Sequence, residues 1–204
     1  MFTGIIETVG EIKHISPLEV GICLNIWPGM LDLSHVKIGD SIAVNGVCLT
    51  VTTLVNGMFS VDVSRETLSC TEGLDKKDGR VNLEQAMRLS DRIGGHLVSG
   101  HVDSIGEVVK FEPIGESYLL VVKAPGSLSK YIVKKGSITV NGVSLTVNET
   151  TGDEFEVNLI RHTLAVTTLN DLKTGAKVNL EVDMLARYVE QLMGDRINYG
   201  WHLI

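Results

Sequence analysis

The chain repeats its own pattern. Residues 41–51 read SIAVNGVCLTV and residues 137–147 read SITVNGVSLTV, so nine of eleven positions are identical at an offset of 96 residues. The same offset aligns Phe59, Val61 and Arg65 with identical residues in the second half. Collinear matches through a whole half-chain indicate a duplicated domain, and 204 residues are enough for two domains of about 100 residues each.

Two repeats of this length are too few and too long for a solenoid, so we predict two tandem domains. The first covers residues 1–96 and ends in a linker from Leu89 to His96, the second covers 97–186, and a tail covers 187–204. Each half has short alternating runs of β-branched residues, and its Asn-Gly pair suits a two-residue hairpin turn because both turn positions need positive φ. This pattern predicts a closed antiparallel barrel in each half.

The end of the chain breaks the β pattern. Apolar residues at 184, 185, 188, 189, 192 and 193 place one apolar stripe along a helix, and Gly194 predicts its end. A helix this short is not stable alone in water, so the stripe must pack against another surface.

Composition and charge exclude several function classes. The chain is 44% hydrophobic with a net charge of −7, whereas a nucleic-acid partner would require a basic face. No apolar run reaches the roughly 18 residues that span a bilayer, and residues 1–7 lack the features of a signal peptide. Cys23, Cys48 and Cys70 form no C-x-x-C pair, and the histidines are scattered. We therefore expect a cytoplasmic protein with no metal site, membrane segment or nucleic-acid partner.

The two halves differ at residues that carry chemistry. The aligned pairs that differ in this way are Cys48 and Ser144, Ile5 and His101, Gly39 and Lys135, Asp62 and Asn158, and Glu66 and His162. The scaffold residues around these positions match. Two copies of one small molecule that bind alike and react differently would require this pattern.

Four motifs carry a family resemblance. They are MFTGIIE at 1–7, NGVCLTV at 45–51, IGGHLVSGH at 93–101 and NGVSLTV at 141–147. Together they resemble the riboflavin synthase family over essentially the whole chain. The resemblance implies an all-β fold of two tandem homologous six-stranded antiparallel Greek-key barrels followed by a short C-terminal helix, in which the tail 187–204 serves oligomerisation.

The resemblance also implies a reaction. One molecule of 6,7-dimethyl-8-ribityllumazine donates a four-carbon unit to a second, which gives riboflavin and 5-amino-6-(ribitylamino)uracil. This transferase reaction is a dismutation, so it needs no external redox cofactor. The family implies a homotrimer in which the first barrel of one subunit opposes the second barrel of a neighbour, and it allows an association with lumazine synthase.

The ligand-contacting segments of the family map onto both repeats. For the first barrel the resemblance implies Gly4, Ile5, Ile6, Cys48, Leu49, Thr50, Asp62, Val63, Ser64, Arg65, Glu66 and Thr67, with Gly100, His101 and Val102 from the end of the linker. For the second barrel it implies Lys135, Ser144, Leu145, Thr146, Ile160, Arg161, His162, Thr163, Leu164 and Ala165.

The residue types suit this chemistry. A polyol chain and amide-like ring edges need hydroxyls and charges to orient them, which Thr50 and Asp62 offer. The C7 methyl must lose a proton, and histidine ordinarily titrates near neutrality, so His101 is the candidate base. Cys48 is a candidate thiolate nucleophile or proton donor, and the hydroxyl of Ser41 completes the predicted catalytic set.

Simpler interpretations stay open. Taken alone, Cys48 is also typical of a small core residue, His101 of a hydrogen-bonded surface histidine, and Lys135 of a solvated charge. A non-catalytic lumazine- or flavin-binding antenna protein would keep the barrels and lose the reactive residues. A flavin-binding module of an oxidoreductase would need a pyridine-nucleotide domain, and no G-x-G-x-x-G follows a strand here.

Overall fold

The first repeat closes into a barrel. The computed structural model describes the backbone of residues 1–198 and the side chains of residues 1–193. The strands are β1 (Thr8–Leu18), β2 (Gly21–Trp27), β3 (Ser41–Val44), β4 (Val47–Val55), β5 (Met58–Val63) and β6 (Arg80–Gln85), with a short helix α1 (Arg65–Cys70) after β5. All pairings are antiparallel, in the closed order β1-β2-β5-β4-β3-β6. The all-β fold class is confirmed.

The second repeat keeps this order with one interruption. Its elements are β7 (Ser104–Ile114), β8 (Ser117–Lys123), β9 (Ser137–Val140), β10 (Val143–Thr146), β11 (Glu149–Thr151), β12 (Glu154–Leu159), α2 (Arg161–Val166) and β13 (Lys177–Val182). They form one seven-stranded sheet that is not closed, so the closed barrel predicted for this half is wrong: the counterpart of β4 is split into β10 and β11, which lie at the two edges of the sheet. The break falls at Asn148, whose N–H donates to Glu156 O at 2.8 Å. In β4 the register shifts between Val51 and Thr53, so the same place is irregular in both repeats.

The predicted Asn-Gly hairpin turns are confirmed, and they also join the repeats. Asn45 and Gly46 have φ of 47° and 83°, and Asn141 and Gly142 have φ of 48° and 80°, as two-residue hairpins require. A Cβ added at Gly46 would lie 2.8 Å from the backbone N of Gly142. Each turn therefore needs its glycine for two reasons: the positive φ and the close approach of the other turn.

Two buried asparagines continue this contact between repeats. Asn82 Nδ2 donates to Asn141 O at 2.9 Å, and its counterpart Asn179 Nδ2 donates to Asn45 O at 3.0 Å. The amide oxygen of each asparagine accepts a backbone N–H of the other repeat at 2.7 Å. Because buried amides must be hydrogen-bonded, these reciprocal pairs fix how the two repeats sit on one another.

Each repeat has its own apolar core. Phe59 and Phe155, which the sequence offset aligns, are fully buried in the first and second core respectively. Phe2, Ala43 and Val98 form a third, smaller cluster. This cluster joins the start of the chain to the segment after the linker, so residues 1–5 and 98–101 are part of the folded body.

The predicted C-terminal helix is present as α3 (Met184–Asn198). The prediction that Gly194 ends it is wrong, because the helix continues to Asn198; a glycine inside a helix costs only about 1 kcal/mol relative to alanine. Asp183 caps its start, since Asp183 Oδ1 accepts the N–H of Leu185 at 3.0 Å. The last part of the predicted tail, residues 199–204, lies outside the described residues. Within the described residues, no helix has the length and apolar character needed to cross a membrane.

Candidate active site

The first candidate site surrounds Cys48. This half-buried residue lies on β4, opposite Ala43 on β3, and its backbone N–H donates to Gly100 O at 2.8 Å. Gly100 has φ of +80°, and a Cβ added there would lie 2.6 Å from Cys48 Cβ. The contact therefore requires glycine, and it places His101, the next residue, at the same site. Cys48 thus contacts the residue that immediately precedes His101 in the chain.

The second candidate site repeats this arrangement around Ser144. The backbone N–H of Ser144 donates to Gly4 O at 2.7 Å, and a Cβ added at Gly4 would lie 2.6 Å from Ser144 Cβ. Ile5 follows Gly4 here as His101 follows Gly100. The two sites are therefore built alike and differ in their reactive side chains.

The segments that complete the sites are exchanged between repeats. We call residues 2–6 and 98–102 the leading strips, because each precedes the first strand of its repeat. Ile6 packs against the core of the second repeat, and Val102 packs against the core of the first. Assigning Gly4, Ile5 and Ile6 to the first barrel was therefore wrong: they complete the site of the second. The repeat offset aligns residues, but it does not say which barrel a strip contacts.

Two buried glutamates hold the leading strips, and sequence analysis gave them no role. Glu84 on β6 accepts three hydrogen bonds from the strip 2–6, and Glu181 on β13 accepts three from the strip 98–102. Burial raises the pKa of both carboxyl groups, and the hydrogen bonds oppose that shift. A charged residue inside both copies of an apolar strand, VNLE at 81–84 and 178–181, was the available signal.

The second site also contains a histidine that sequence analysis left in the linker. His96 Nδ1 lies 2.8 Å from Ser144 Oγ, and Gly95 is so close that an added Cβ would lie 2.6 Å from Ser144 Cβ. Burial lowers the pKa of His96, so its neutral form is favoured. A neutral imidazole can accept the proton of a serine hydroxyl. At the offset of 96 residues His96 has no counterpart in the first repeat. A histidine beside Ser144 is therefore a further difference between the two sites.

The pKa shift of His96 predicts a pH effect on stability. Because its pKa is lowered on folding, the unfolded chain binds a proton first as the pH falls below 6.5, the ordinary histidine value. Its contribution to the free energy of unfolding is therefore present above that pH and lost below it. We expect urea unfolding at pH 7.5 and pH 5.5 to show a smaller decrease for His96→Gln than for the parent. Equal decreases in the two proteins would contradict this prediction.

The other predicted site residues fall into two groups. The side chains of Leu49, Val63, Leu145 and Leu164 lie in the barrel cores, so they can offer a ligand only backbone groups. The remaining ones are exposed or half-buried on the strand and helix surfaces: Ser41, Thr50, Asp62, Ser64, Arg65, Glu66, Thr67, Lys135, Thr146, Ile160, Arg161, His162, Thr163 and Ala165. Among the exposed residues, Ser64 caps helix α1, since Ser64 Oγ accepts the N–H of Thr67 at 3.0 Å.

Lys135 has an unfavourable backbone conformation. Its φ is +67°, whereas its counterpart in the first repeat is Gly39, with φ of +96°. A side chain in the left-handed region carries strain, which is often found at functional sites. Lys135 therefore occupies a conformation that glycine, its counterpart in the first repeat, adopts without strain.

Replacing Lys135 with glycine tests whether the lysine side chain binds a ligand or is only a surface charge. Relief of strain and the greater freedom of glycine in the unfolded chain oppose each other, so we expect the free energy of unfolding to stay within about 1 kcal/mol. The dissociation constant for riboflavin should rise by about 10-fold, as expected for loss of one charged hydrogen bond. Lys134→Ala, which removes the neighbouring lysine that pairs with Glu149, is the control in both titrations. Equal riboflavin affinity in the two variants would make Lys135 a surface charge.

Comparison with known proteins agrees with this geometry. A profile of the lumazine binding domain matches residues 3–86 and 99–183. Riboflavin synthase of Photobacterium phosphoreum is 49% identical over 194 residues, which cover 95% of this chain and 89% of the relative. That of Bacillus subtilis is 43% identical over 194 residues, with 95% and 90% coverage. Among solved structures, LumP complexed with riboflavin matches with a TM-score of 0.82 and 26% identity, over 90% of this chain and 100% of that one.

LumP complexed with 6,7-dimethyl-8-(1'-D-ribityl) lumazine matches similarly, with a TM-score of 0.80, 26% identity and coverage of 90% and 99%. The fold and the matched profile thus define a protein with two lumazine-binding repeats. With relatives matched along almost their whole length, the chain belongs to the riboflavin synthase family. The family predicted from the four motifs is confirmed.

Proposed function

We propose that this protein is an enzyme that converts two molecules of 6,7-dimethyl-8-ribityllumazine into riboflavin and 5-amino-6-(ribitylamino)uracil. The observation that carries the proposal is the pair of sites with one scaffold and different reactive residues. Cys48 binds the carbonyl of Gly100, the residue before His101, and Ser144 lies beside His96. A dismutation of two identical molecules needs this combination, because they must bind alike and react differently.

The residues divide the chemistry between them. To His101, which follows the glycine whose carbonyl binds Cys48, we assign the removal of a proton from the C7 methyl of the donor. Cys48, or Ser144 with His96 as its base, supplies a nucleophile or proton at the ring of the acceptor. Ser41, whose strand partner is Thr50, offers a hydroxyl at the edge of the first site. The four-carbon unit passes from donor to acceptor, so no external oxidant or reductant is needed.

We infer that the productive active site lies between two subunits, as the family resemblance implies. Cys48 hydrogen-bonds to the strip 98–102, that strip pairs with the strip 2–6 through Phe2 and Val98, and the strip 2–6 hydrogen-bonds to Ser144. Neighbouring extended segments lie about 4.8 Å apart, so up to three such spacings lie between the two reactive residues. Stacked rings require a shorter distance, which a second copy of the chain can provide.

We propose that this assembly is the homotrimer of the family, with the first barrel of one subunit facing the second barrel of the next. The exposed apolar side chains of α3, including Leu185, Tyr188 and Leu192, supply a surface for it. Cys23, Cys48 and Cys70 are free thiols, which suits a reducing compartment such as the cytoplasm. Association with lumazine synthase, which makes the substrate class, remains part of this proposal.

The test is turnover of the proposed substrate by the purified protein. Incubation with 6,7-dimethyl-8-ribityllumazine should release riboflavin and the pyrimidine in equal amounts, with two lumazines consumed for each riboflavin formed. Riboflavin fluorescence and chromatographic quantification of the pyrimidine measure this directly. Tight binding of the lumazine without turnover would instead support the non-catalytic, antenna-type alternative.

A further inference from the structure

We propose that Glu84 and Glu181 are positioning residues that act on the opposite repeat. Each holds the leading strip of its own repeat, and through that strip it sets the geometry of the reactive residue in the other. Glu181 thus controls Cys48 and His101, whereas Glu84 controls Ser144. The effect of each glutamate on the chemistry rests on the proposed function, but its effect on the geometry does not.

The first step is the contact between glutamate and strip. Glu181 Oε1 accepts the N–H of Ser99 at 2.7 Å and its hydroxyl at 2.6 Å, and Oε2 accepts the N–H of Gly100 at 3.0 Å. Glu84 makes the same three contacts, with Thr3 at 2.7 Å twice and with Gly4 at 3.0 Å. Every partner is a donor, so both oxygens of the side chain must be acceptors.

The second step leads from strip to reactive residue. The same glycine that donates to the glutamate offers its carbonyl to the other repeat, so that Gly100 O binds Cys48 N–H at 2.8 Å. The hydroxyl of Ser99, which donates to Glu181, also accepts the N–H of His101 at 3.3 Å. One carboxylate thereby orients both reactive residues of the first site, although it lies on the last strand of the second repeat.

The burial of these two carboxylates favours a role in positioning the leading strips. Glu84 and Glu181 are only 5% and 3% exposed, and no lysine or arginine is among the groups that shift their pKa. The other titratable residues that act on them are Glu7, which raises the pKa of Glu84, and His101, which lowers the pKa of Glu181. A buried carboxylate without a lysine or arginine partner is unfavourable unless hydrogen bonds replace its hydration. The strips supply those bonds, so carboxylate and strip order each other.

The matched substitutions Glu181→Gln and Glu84→Gln test whether each glutamate sets the geometry of the reactive residue in the other repeat. A glutamine directs an NH2 group at one of the backbone N–H donors, so the glycine of that strip is displaced while the side chain keeps its size. We expect iodoacetamide to alkylate Cys48 several-fold faster in Glu181→Gln, because Gly100 no longer covers it, and at the parent rate in Glu84→Gln. Mass spectrometry of the Cys48 peptide measures the rate, with Cys23 of the same digest as internal reference. Equal Cys48 rates in the two variants would overturn the proposal.

Turnover gives the second readout. Both variants should lower kcat, on the order of 10- to 100-fold, with a smaller change in KM, as expected when reactive groups are displaced by about 1 Å. Parent-like kcat in Glu181→Gln would overturn the catalytic part of the proposal. If the parent protein itself does not convert the lumazine, the proposed function fails, and the alkylation rates still decide the geometric part.

Milder variants keep the test valid if a glutamine variant does not fold. Ser99→Ala and Thr3→Ala each remove one hydroxyl from a strip and leave the carboxylate and both backbone bonds in place. The proposal expects the same crossed order, with Cys48 alkylation faster in Ser99→Ala than in Thr3→Ala. The reverse order, or no difference, would count against it.

Discussion

Cys48→Ala is expected to lower kcat by roughly 100-fold or more while KM changes little, the pattern for a group that acts mainly in the transition state. The side chain lies at the site that Gly100 and His101 complete, and its counterpart in the second repeat is a serine, so the position accepts a polar group. Steady-state kinetics with 6,7-dimethyl-8-ribityllumazine measure the effect.

Two further variants separate chemistry from packing. Cys48 also packs against the small cluster of Phe2, Ala43 and Val98, so loss of the sulfur can destabilise the fold. Cys48→Ser keeps the shape and gives both sites the same hydroxyl; if the thiol is required, its activity should stay close to that of Cys48→Ala. Cys70→Ala, at an exposed thiol on α1, should behave like the parent. Full turnover in Cys48→Ala would make the residue part of the core.

The repeat explains why so much of the fold could be predicted. Matching runs at 41–51 and 137–147 predicted two barrels and both hairpin turns, because alternation and Asn-Gly pairs depend on local backbone preferences. The break at Asn148 was not predictable in the same way. It depends on how the strand pairs with β12, where the N–H of Asn148 donates to Glu156 O, and residue alternation does not specify this pairing. The continuation of α3 past Gly194 was missed because a helix can accept a glycine when the residues after it remain helical.

The sequence names candidate site residues, whereas the contacts that connect them appear only in the structure. Comparison of the two halves identified Cys48, Ser144 and His101, because it isolates positions where a shared scaffold carries different chemistry. The exchange of the leading strips is a tertiary contact, and no sequence offset encodes it. His96 was missed for a related reason: it has no aligned partner, so the comparison of halves could not mark it.

The second large effect is expected from the apolar side of α3. Arg187 of the helix contacts Asp103, and Glu190 contacts Lys130 and Tyr131, so its polar side binds the barrel of its own chain. The apolar side chains are left outside: Leu185, Tyr188, Val189, Leu192 and Met193 are between 54% and 66% exposed. A helix of this kind would ordinarily turn its apolar side inward. The reversed orientation is expected if other subunits cover that side.

The double substitution Leu185→Glu with Leu192→Glu tests this orientation without touching the contacts to the barrel. We expect the mass in solution, measured by sedimentation equilibrium, to fall from that of a trimer to that of a monomer. Thermal unfolding should change little, because the altered side chains contact solvent in the single chain. Activity should fall steeply if the site lies between subunits, and what remains should rise faster than linearly with protein concentration. Gln191→Glu adds one negative charge beside the polar side of the helix and should leave the mass unchanged. A monomeric, fully active double variant would show instead that one chain contains the complete site.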